Sequence, residues 1–323
     1  MTQPRVFISL LLLLAFISGV LSLSLGDFYT SLGDIFDVFF ANTTPLIKQI
    51  IFELRLPRLI SAFVAGSLLA LAGALMQVLL CNPLADPYIL GISSGASLGY
   101  LTALLLGISG YWVSGYALFG AVLTIFMVFM LASSQKEWTT TRLLLSGIIF
   151  STGLGALINL ILILSPSTHI HSMLFWLMGD LSYAPFPSLT LIILGIGFII
   201  CLGLAPALNI LILGELRAKT LGIQTFRLQI TLYFLSAIFT TTAVLLAGNI
   251  GFIGLIVPHI LRLMGILNYR ILLPGALLLG GTLLMLADTL ARTILSPIQL
   301  PVGIFTTLLG VPLFLFFLYR GRI

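Results

Sequence analysis

Charge is the property that this sequence has least of. Lysine, arginine, aspartate and glutamate together make up 7% of its 323 residues, and 60% of the residues are hydrophobic. In soluble domains roughly a quarter of the residues are charged. The composition therefore excludes a soluble globular protein and indicates a chain that is surrounded by lipid.

Cysteines are few, and the common catalytic motifs are absent. Cys81 and Cys201 stand at the ends of apolar runs, without the spacing of a disulfide framework or a metal site. The chain has no Gly-x-Ser-x-Gly or His-Glu-x-x-His motif, and no lysine follows a glycine as in a phosphate-binding loop. It also has no run of like charges. We therefore expect no catalytic site, no bound metal or cofactor, and no nucleic-acid partner.

Long apolar runs, in contrast, are abundant. A helix needs about 17–25 apolar residues to cross a bilayer, and it satisfies its own backbone hydrogen bonds there. Ten runs reach or approach this length: residues 6–25, 59–80, 91–108, 116–133, 143–165, 189–208, 228–247, 252–268, 271–287 and 302–319. We expect an all-α fold with about ten transmembrane helices, in one domain over residues 1–323.

The first run has to be compared with a signal peptide. Arg5 gives it a basic flank, and Ser24, Leu25 and Gly26 resemble a cleavage site. Its apolar core of about twenty residues is too long for a typical signal peptide, and nine more runs follow. We expect this helix to be retained.

The basic residues predict the orientation, because lysine and arginine concentrate in cytoplasmic loops. With the N-terminus in the cytoplasm, ten of the 14 basic residues lie on that side: Arg5, Lys136, Arg142, Arg217, Lys219, Arg227, Arg262, Arg270, Arg320 and Arg322. The outer side receives Lys48, Arg55, Arg58 and Arg292. We therefore expect both termini in the cytoplasm.

Three of the four outer basic residues have two interpretations. Arg55 and Arg58 lie at the outer end of the second run, and Arg292 lies at the outer end of the ninth. They can reach the headgroups or pair with Glu53 and Asp288. Alternatively, they form a basic surface that docks an acidic partner.

The nine acidic residues fall in loops or at the ends of the predicted helices: Asp27, Asp34, Asp37, Glu53, Asp86, Glu137, Asp180, Glu215 and Asp288. Ion-driven carriers place carboxylates near the bilayer midplane. A transporter without them, and without a nucleotide site, needs an external source of energy. Two alternatives stay open: a secondary transporter in which His259 and Asp288 carry protons, and an intramembrane enzyme that uses His259.

Small residues and prolines mark packing and turns. Gly91, Gly95 and Gly99 share one helix face, and Gly147, Ser151 and Gly155 repeat the pattern, which favours close helix packing or leaves room for a pathway between subunits. Two prolines in residues 82–87 (NPLADP) predict a sharp connection.

Three cytoplasmic or buried segments each have a structural and a functional interpretation. Thr139, Thr140 and Thr141 can cap the fifth run or narrow the inner end of a pore. Residues 213–222 predict a short amphipathic helix, which lies at the interface or fits a groove on a cytoplasmic partner. His259, beside Pro258, either makes a structural hydrogen bond at a proline-broken turn or has a proton or ligand role.

Together these segments resemble the FecCD family, the permease subunits of ABC importers for iron–siderophore complexes, haem and cobalamin. The resemblance runs from about residue 50 to the C-terminus. It rests on residues 54–58 (LRLPR), 73–77 (GALMQ), 82–87, 90–95 (LGISSG), 214–215, 251–259 (GFIGLIVPH), 272–274, 287–288, 291–292 and 300–303 (LPVG). Residues 142–147 and 258–263 resemble the cobalamin branch most.

The resemblance implies a role for particular residues. Arg55, Arg58 and Arg292 match arginines that meet acidic residues of a periplasmic binding protein, and Lys48 matches nothing in the family. Asn82, Leu84, Thr140 and Thr141 match the cytoplasmic gate, although Thr139 to Thr141 replace a mixed Ser/Thr run. The segment that matches the coupling helix consists of Gly214, Glu215, Leu216, Arg217, Ala218, Lys219, Thr220 and Leu221.

The resemblance also implies the assembly and the mechanism. Two permease subunits, which we expect to be identical, would surround a central path in the bacterial inner membrane. Two cytoplasmic ATPase subunits would drive alternating access, and a periplasmic binding protein would deliver a metal-chelate nutrient. Cobalamin, siderophore and haem permeases share these motifs, so the substrate stays open.

Overall fold

The computed structural model describes residues 4–26, 30–40, 44–133, 139–182 and 186–319, and the regular structure of these residues is helical. The α-helices are α1 (Pro4–Ser24), α2 (Leu32–Phe40), α3 (Pro45–Gln49), α4 (Leu56–Leu79), α5 (Ile92–Leu105), α6 (Tyr111–Ser133), α7 (Thr140–Leu164), α8 (Ser167–Leu177), α9 (Ser188–Leu211), α10 (Glu215–Thr220), α11 (Thr225–Ala247), α12 (Ile253–Leu263), α13 (Tyr269–Thr293) and α14 (Val302–Tyr319). A π-helical turn (Ile50–Arg55) joins α3 to α4, and a 3-10 turn (Pro87–Leu90) precedes α5.

Each of the ten predicted apolar runs overlaps one of these helices, but the helices differ in length. Seven helical segments in the described part of the chain are long and apolar enough to cross a membrane. The runs at 91–108, 252–268 and 302–319 form the shorter helices α5, α12 and α14. With 11 residues, α12 is about 16 Å long at 1.5 Å per residue, roughly half of the hydrocarbon core. α12 alone is therefore too short to cross the hydrocarbon core.

The helical segment of the second predicted run, which includes α4, reaches further outward than predicted. Instead of beginning near residue 59, the helical segment runs without interruption over Pro45–Leu79. Pro57 has no N–H to bond the carbonyl four residues earlier, and the π-helical turn lies directly before it. This extension carries Arg55 and Arg58 on a continuous helical segment rather than on a loop.

The core is built around α4, which packs against α11, α12 and α13. Of the residues in its most apolar stretch, 83% are buried. Glycines permit the close crossings: a Cβ at Gly73 would overlap the backbone of Gly254, and a Cβ at Gly66 would overlap Gly280. Without a hydrophobic drive in lipid, such contacts hold helices together by close packing.

The two predicted glycine stripes behave differently. Gly95 and Gly99 lie against the backbone of α6, which confirms the packing interpretation for α5. On α7, Gly147 lies against the Ile89 carbonyl, but a Cβ at Gly155 would meet no described atom within 4 Å. Only 11% of the most apolar stretch of α7 is buried. The exposed face of α7 is therefore left for contacts beyond this chain.

Candidate functional site

At one end of the molecule, two arginines bind one buried aspartate. Arg58 of α4 donates from Nε to both Asp288 oxygens at 3.0 Å and from Nη2 to Oδ1 at 2.9 Å. Arg292 Nε lies 3.6 Å from Asp288 Oδ2, one helical turn away on α13. Arg58 also donates to Gln299 Oε1 at 2.8 Å. This arginine cluster, comprising Arg55, Arg58, Asp288, Arg292 and Gln299, joins α4 to the ends of α13 and α14.

The other guanidinium contacts connect the cluster to α1. Arg55 donates to Thr30 Oγ1 at 2.8 Å and to the Leu23 carbonyl just before the end of α1. Arg292 donates to Ser22 Oγ at 2.8 Å and to the Ser22 carbonyl. Arg55 and Arg292 are only 7% and 8% exposed. These contacts fix the position of both guanidinium groups.

The sequence had left pairing and docking open for these arginines. Pairing with Asp288 is confirmed for Arg58 and Arg292. The suggested pairing with Glu53 is not seen: Glu53 accepts a hydrogen bond from Gln49 at 3.0 Å instead. Docking stays a prediction.

The arginine cluster is also concave. Its three arginines and Gln299 line a cavity of about 260 Å³, to which Gly26, Ile50, Leu54 and Ser182 contribute. Three guanidinium groups and one carboxylate, that of Asp288, belong to this cluster, so an excess of positive charge faces the cavity. Ser182 and Gln299 were not anticipated, because neutral polar residues near apolar runs carry no distinctive pattern.

At the opposite end, the connection after α4 is held by its own side chains. Asn82 Oδ1 accepts from the Leu84 N–H at 2.9 Å, and Asp86 Oδ1 accepts from the Tyr88 N–H at 2.8 Å. The Tyr88 hydroxyl accepts from the Ile250 N–H at 3.2 Å. These bonds confirm the sharp proline-bounded connection and link it to the segment before α12.

Asp86 has an unusual environment for a carboxylate. It lies in the connection, outside the membrane-spanning helices, and burial raises its pKa to about 6 although the Tyr88 N–H favours the ionised form. Ser151 and Thr152 of α7 share with it a cavity of about 410 Å³. The predicted gate segment and the exposed face of α7 therefore meet at this cavity.

The three threonines at the start of α7 differ in their contacts and exposure. Thr139 Oγ1 accepts from the Arg142 N–H at 3.4 Å, which confirms the capping interpretation for Thr139. Thr140 is half-buried, and Thr141 is exposed. Lys136 and Glu137, in the same predicted loop, lie outside the described residues. The gate role of Thr140 and Thr141 stays a prediction, like that of Asn82 and Leu84.

The predicted amphipathic helix is present as α10. Ala218 is buried, whereas Leu216 and Leu221 are 81% and 63% exposed. Glu215 and Lys219 form an (i, i+4) ion pair of 2.8 Å, and Gly222 has a φ of +82° just beyond the helix. α10 therefore presents two leucines away from the rest of the chain.

A cavity of about 440 Å³ lies beside α10. Its lining includes Thr139 together with Glu215, Leu216 and Lys219 of α10 and Gln229 of α11. The sequence did not predict this proximity, because some 75 residues separate Thr139 from α10. The predicted coupling segment and the start of α7 are neighbours in space.

His259 occupies a different setting from the one expected. Pro258 lies inside α12, and the break in the chain falls earlier, where Phe252 has a φ of +70°. His259 is 3% exposed, and its ring centroid lies 5.9 Å from that of Phe314 on α14. Asp288, its partner in the proton-carrying alternative, is bound by Arg58 and Arg292.

The metal-ligating residue types do not assemble in the described part of the chain. No group of three or more His, Cys, Asp and Glu residues there could hold a metal ion. The polar clusters of this fold are the arginine cluster at one end and the connection, the start of α7 and α10 at the other.

Comparison with known proteins agrees with this geometry. The FecCD transport family model matches residues 11–320. The vitamin B12 import system permease protein BtuC of Shigella boydii is 36% identical over 319 residues, which cover 98% of this chain and 94% of that protein. BtuC of Klebsiella pneumoniae is 39% identical over 277 residues, covering 84% of this chain and 83% of that protein.

Solved structures show the same fold. An inward-facing metal-chelate type ABC transporter aligns with a TM-score of 0.86 at 31% identity and covers 98% of this chain and 100% of that chain. PsaBC from Streptococcus pneumoniae, at 17% identity and a TM-score of 0.55, shares the fold alone; the match covers 88% of this chain and 94% of that chain. The motifs, the helical architecture and the nearly full-length match agree, and the chain belongs to the FecCD transport family.

Proposed function

We propose that this chain is the membrane-spanning permease subunit of a binding-protein-dependent ABC importer in the bacterial inner membrane. The observation that carries the proposal is the 36% identity to a vitamin B12 import permease over 98% of the chain. Cobalamin is accordingly the first metal-chelate substrate to test, followed by iron–siderophore complexes and haem. The ten-to-four bias of basic residues supports a cytoplasmic location for both termini.

The energy for transport comes from outside the chain. α10 presents Leu216 and Leu221 on the side that the charge bias places in the cytoplasm. Two cytoplasmic ATPase subunits seat against this helix, each on one of two identical permease subunits. Because α10 and Thr139, the N-cap of α7, line one cavity, movement of α10 is passed to the start of α7, where Thr140 and Thr141 lie. The connection that carries the proposed gate residues Asn82 and Leu84 also contains Asp86, which lines a second cavity together with Ser151 and Thr152 of α7.

The opposite end receives the periplasmic binding protein. The cavity of the arginine cluster has an excess of positive charge, and an acidic side chain of the partner fits it by electrostatic complementarity. Since Arg58 and Arg292 already bind Asp288, the incoming carboxylate shares guanidinium donors with Asp288 rather than finding them unused. Docking therefore depends on the geometry of the whole cluster.

The function is tested by uptake into vesicles that contain the chain, its ATPase and the loaded binding protein. We expect cobalamin to accumulate only when ATP is supplied on the side of the membrane where the ATPase is bound, and only when the binding protein is present on the other side. Uptake that persists without the ATPase and stops when the proton gradient is dissipated would instead show that the chain is a secondary transporter.

Docking is tested by charge reversal. Arg55→Glu, Arg58→Glu and Arg292→Glu should each weaken association with the binding protein, and more strongly at low salt because screening is then weaker. Lys48→Glu is the matched control: Lys48 is exposed on the same side but lies outside the cluster. Thermal unfolding of each variant identifies losses caused by misfolding. Equal affinity of all three well-folded variants and the control would refute docking at the cluster.

A further inference from the structure

A large apolar groove opens on the side of the bundle, away from both clusters described above. It lies between α6 and α9, with α11 as its floor, and has a volume of about 790 Å³. This volume falls within the roughly 300–1,000 Å³ of typical ligand sites. Leu118, Phe126 and Ile238 in its lining are 44%, 58% and 50% exposed, so the groove opens laterally toward the bilayer.

Two contacts explain why the groove exists. The Tyr233 hydroxyl of α11 donates to the Ile125 carbonyl at 2.8 Å and holds α6 against α11. On the other side, Gly197 of α9 lies so close to Phe239 that an added Cβ would overlap its ring. Both contacts lie away from the arginine-cluster end. Toward that end the space between α6 and α9 is the groove itself, which is lined by residues 111–126 on one side and by residues 186–193 on the other.

The groove is long enough to span the hydrocarbon core of one leaflet of the membrane. Its lining on α6 extends from Tyr111 to Phe126, about 22 Å at 1.5 Å per residue. That length exceeds the roughly 15 Å that one leaflet contributes to the hydrocarbon core. Tyr111 and its neighbour Trp112 are strongly exposed at the mouth, the kind of residues that mark the membrane interface.

The floor of the groove contains a buried hydroxyl without a partner. Thr241 lines the groove and is 5% exposed, and its Oγ1 makes no hydrogen bond with the described residues. The adjacent Thr240 follows the usual pattern and donates to the Ser236 carbonyl at 2.8 Å. A helical threonine has two accessible χ1 rotamers, so the Thr241 hydroxyl can turn toward the groove. In lipid an unsatisfied polar group is costly, which favours a ligand that supplies an acceptor.

We propose that this groove binds one acyl chain of a phospholipid from the leaflet at the arginine-cluster end, and that Thr241 donates a hydrogen bond to the ester carbonyl of that chain. The apolar walls accept the hydrocarbon tail, and the mouth near Tyr111 leaves the headgroup at the interface. Thr241 lies six residues, about 9 Å, before the end of α11, so the ester carbonyl that it binds is drawn into the mouth of the groove together with the start of the acyl chain. The site is independent of substrate transport and requires only that the helices span a bilayer.

The hydrogen bond is tested with two lipids that share headgroup and chain length but differ in linkage. Native mass spectrometry of the full-length chain in detergent would measure the affinity of a diacyl phosphatidylglycerol and of its dialkyl ether analogue. We expect the ester lipid to bind roughly two- to tenfold tighter, the range of one net hydrogen bond. Thr241→Val should abolish this preference. Thr231→Val is the control on the same helix, because its hydroxyl already donates to the Arg227 carbonyl at 2.9 Å.

The groove itself is tested by filling it. Ser114→Trp, near the mouth, should remove the tightly bound lipid of either linkage, whereas Ile199→Trp, on a lipid-exposed part of α9 outside the groove, should not. Equal lipid retention by both tryptophan variants would show that only unspecific annular lipid is bound and would overturn the proposal. An ester preference that survives in Thr241→Val would overturn the role of the hydroxyl.

Discussion

Among single residues, Asp288 is the one whose loss we expect to destabilise the fold most. Its carboxylate is 1% exposed and binds Arg58 and Arg292 together. Removing the charge of a buried pair leaves guanidinium groups without compensation, which typically costs about 3–5 kcal/mol. We therefore predict that Asp288→Asn lowers the free energy of unfolding by about that amount, measured as a fall in the thermal midpoint of the purified chain.

Glu53→Gln is the matched control for this prediction. Glu53 belongs to the same end of the molecule, but its side chain accepts a hydrogen bond from the exposed Gln49. Exposed polar pairs contribute about 0–1 kcal/mol, so its midpoint should stay close to that of the unaltered chain. Comparable midpoints for the two variants would contradict the structural role of Asp288.

Asp86 gives a prediction of pH dependence. Its pKa of about 6 in the folded chain exceeds the ordinary value of 3.8, so the folded state holds the proton more tightly than the unfolded state. The resulting stability is full below about pH 3.8 and is lost as the pH rises through 6. From pH 4.5 to 7 the loss should be about 2 kcal/mol in the unaltered chain.

In Asp86→Asn this contribution should disappear, because the amide does not ionise and still offers an oxygen to the Tyr88 N–H. The measurement is the thermal midpoint of both proteins at pH 4.5 and 7. Other groups titrate equally in both, so parallel pH profiles would mean that the Asp86 carboxyl keeps an ordinary pKa.

Single residues were predictable where local chemistry dominates. The Thr139 cap and the turn at Asn82 follow from side chains that bond their own neighbouring backbone. Pairing of Arg58 with Asp288 joins residues 230 positions apart, so sequence offered it only as one alternative. Ser182, Gln299 and Thr241 gave no signal, because their roles depend on cavities that exist only after the helices have packed.

Among the helices, the packing of α5 against α6 depends on Gly99. An added Cβ there would overlap the Tyr116 carbonyl, and backbone cannot move aside as a flexible side chain can. Alanine is otherwise the better helix former by about 1 kcal/mol. We predict that the steric cost of the added methyl group exceeds the gain in helix propensity. Gly99→Ala should therefore destabilise the chain by about 1–3 kcal/mol, measured as a lower thermal midpoint.

The facing helix supplies the control. A Cβ at Gly115 of α6 would meet no described atom within 4 Å. Gly115→Ala should therefore leave the midpoint unchanged or raise it slightly. The close-packing argument fails if Gly99→Ala behaves like Gly115→Ala.

Element positions were more predictable than element lengths. Apolar runs of membrane length correctly placed a helix in each of the ten segments, because a backbone in lipid must satisfy its own hydrogen bonds. α12 is shorter than the run that predicted it, since residues 264–267 contain no charged residue but form a turn instead of a helix. Hydropathy alone does not distinguish the last turn of a helix from an apolar turn that follows it.

For the molecule as a whole, the exposed face of α7 is a surface on which the proposed second copy of the chain can pack. A Cβ added at Gly153 or Gly155 would meet no described atom within 4 Å, and Asn159 is exposed five residues before the end of the same apolar helix. Small residues permit close helix approach, and an amide facing lipid is unfavourable. A second copy of the chain satisfies both conditions, with α7 beside a polar central path. This is the assembly expected of two identical permease subunits.

We predict that Gly153→Trp disrupts this assembly, because the indole would occupy the space into which the second copy packs. Light scattering of the purified chain, corrected for detergent, should give two copies per particle for the unaltered protein and one for the variant. Ile199→Trp introduces the same side chain on the exposed face of α9 and should leave two copies. If particles of Gly153→Trp also contain two copies of the chain, the contact between subunits lies on another helix. The polar face of α7 would then line the transport path without contacting the second subunit.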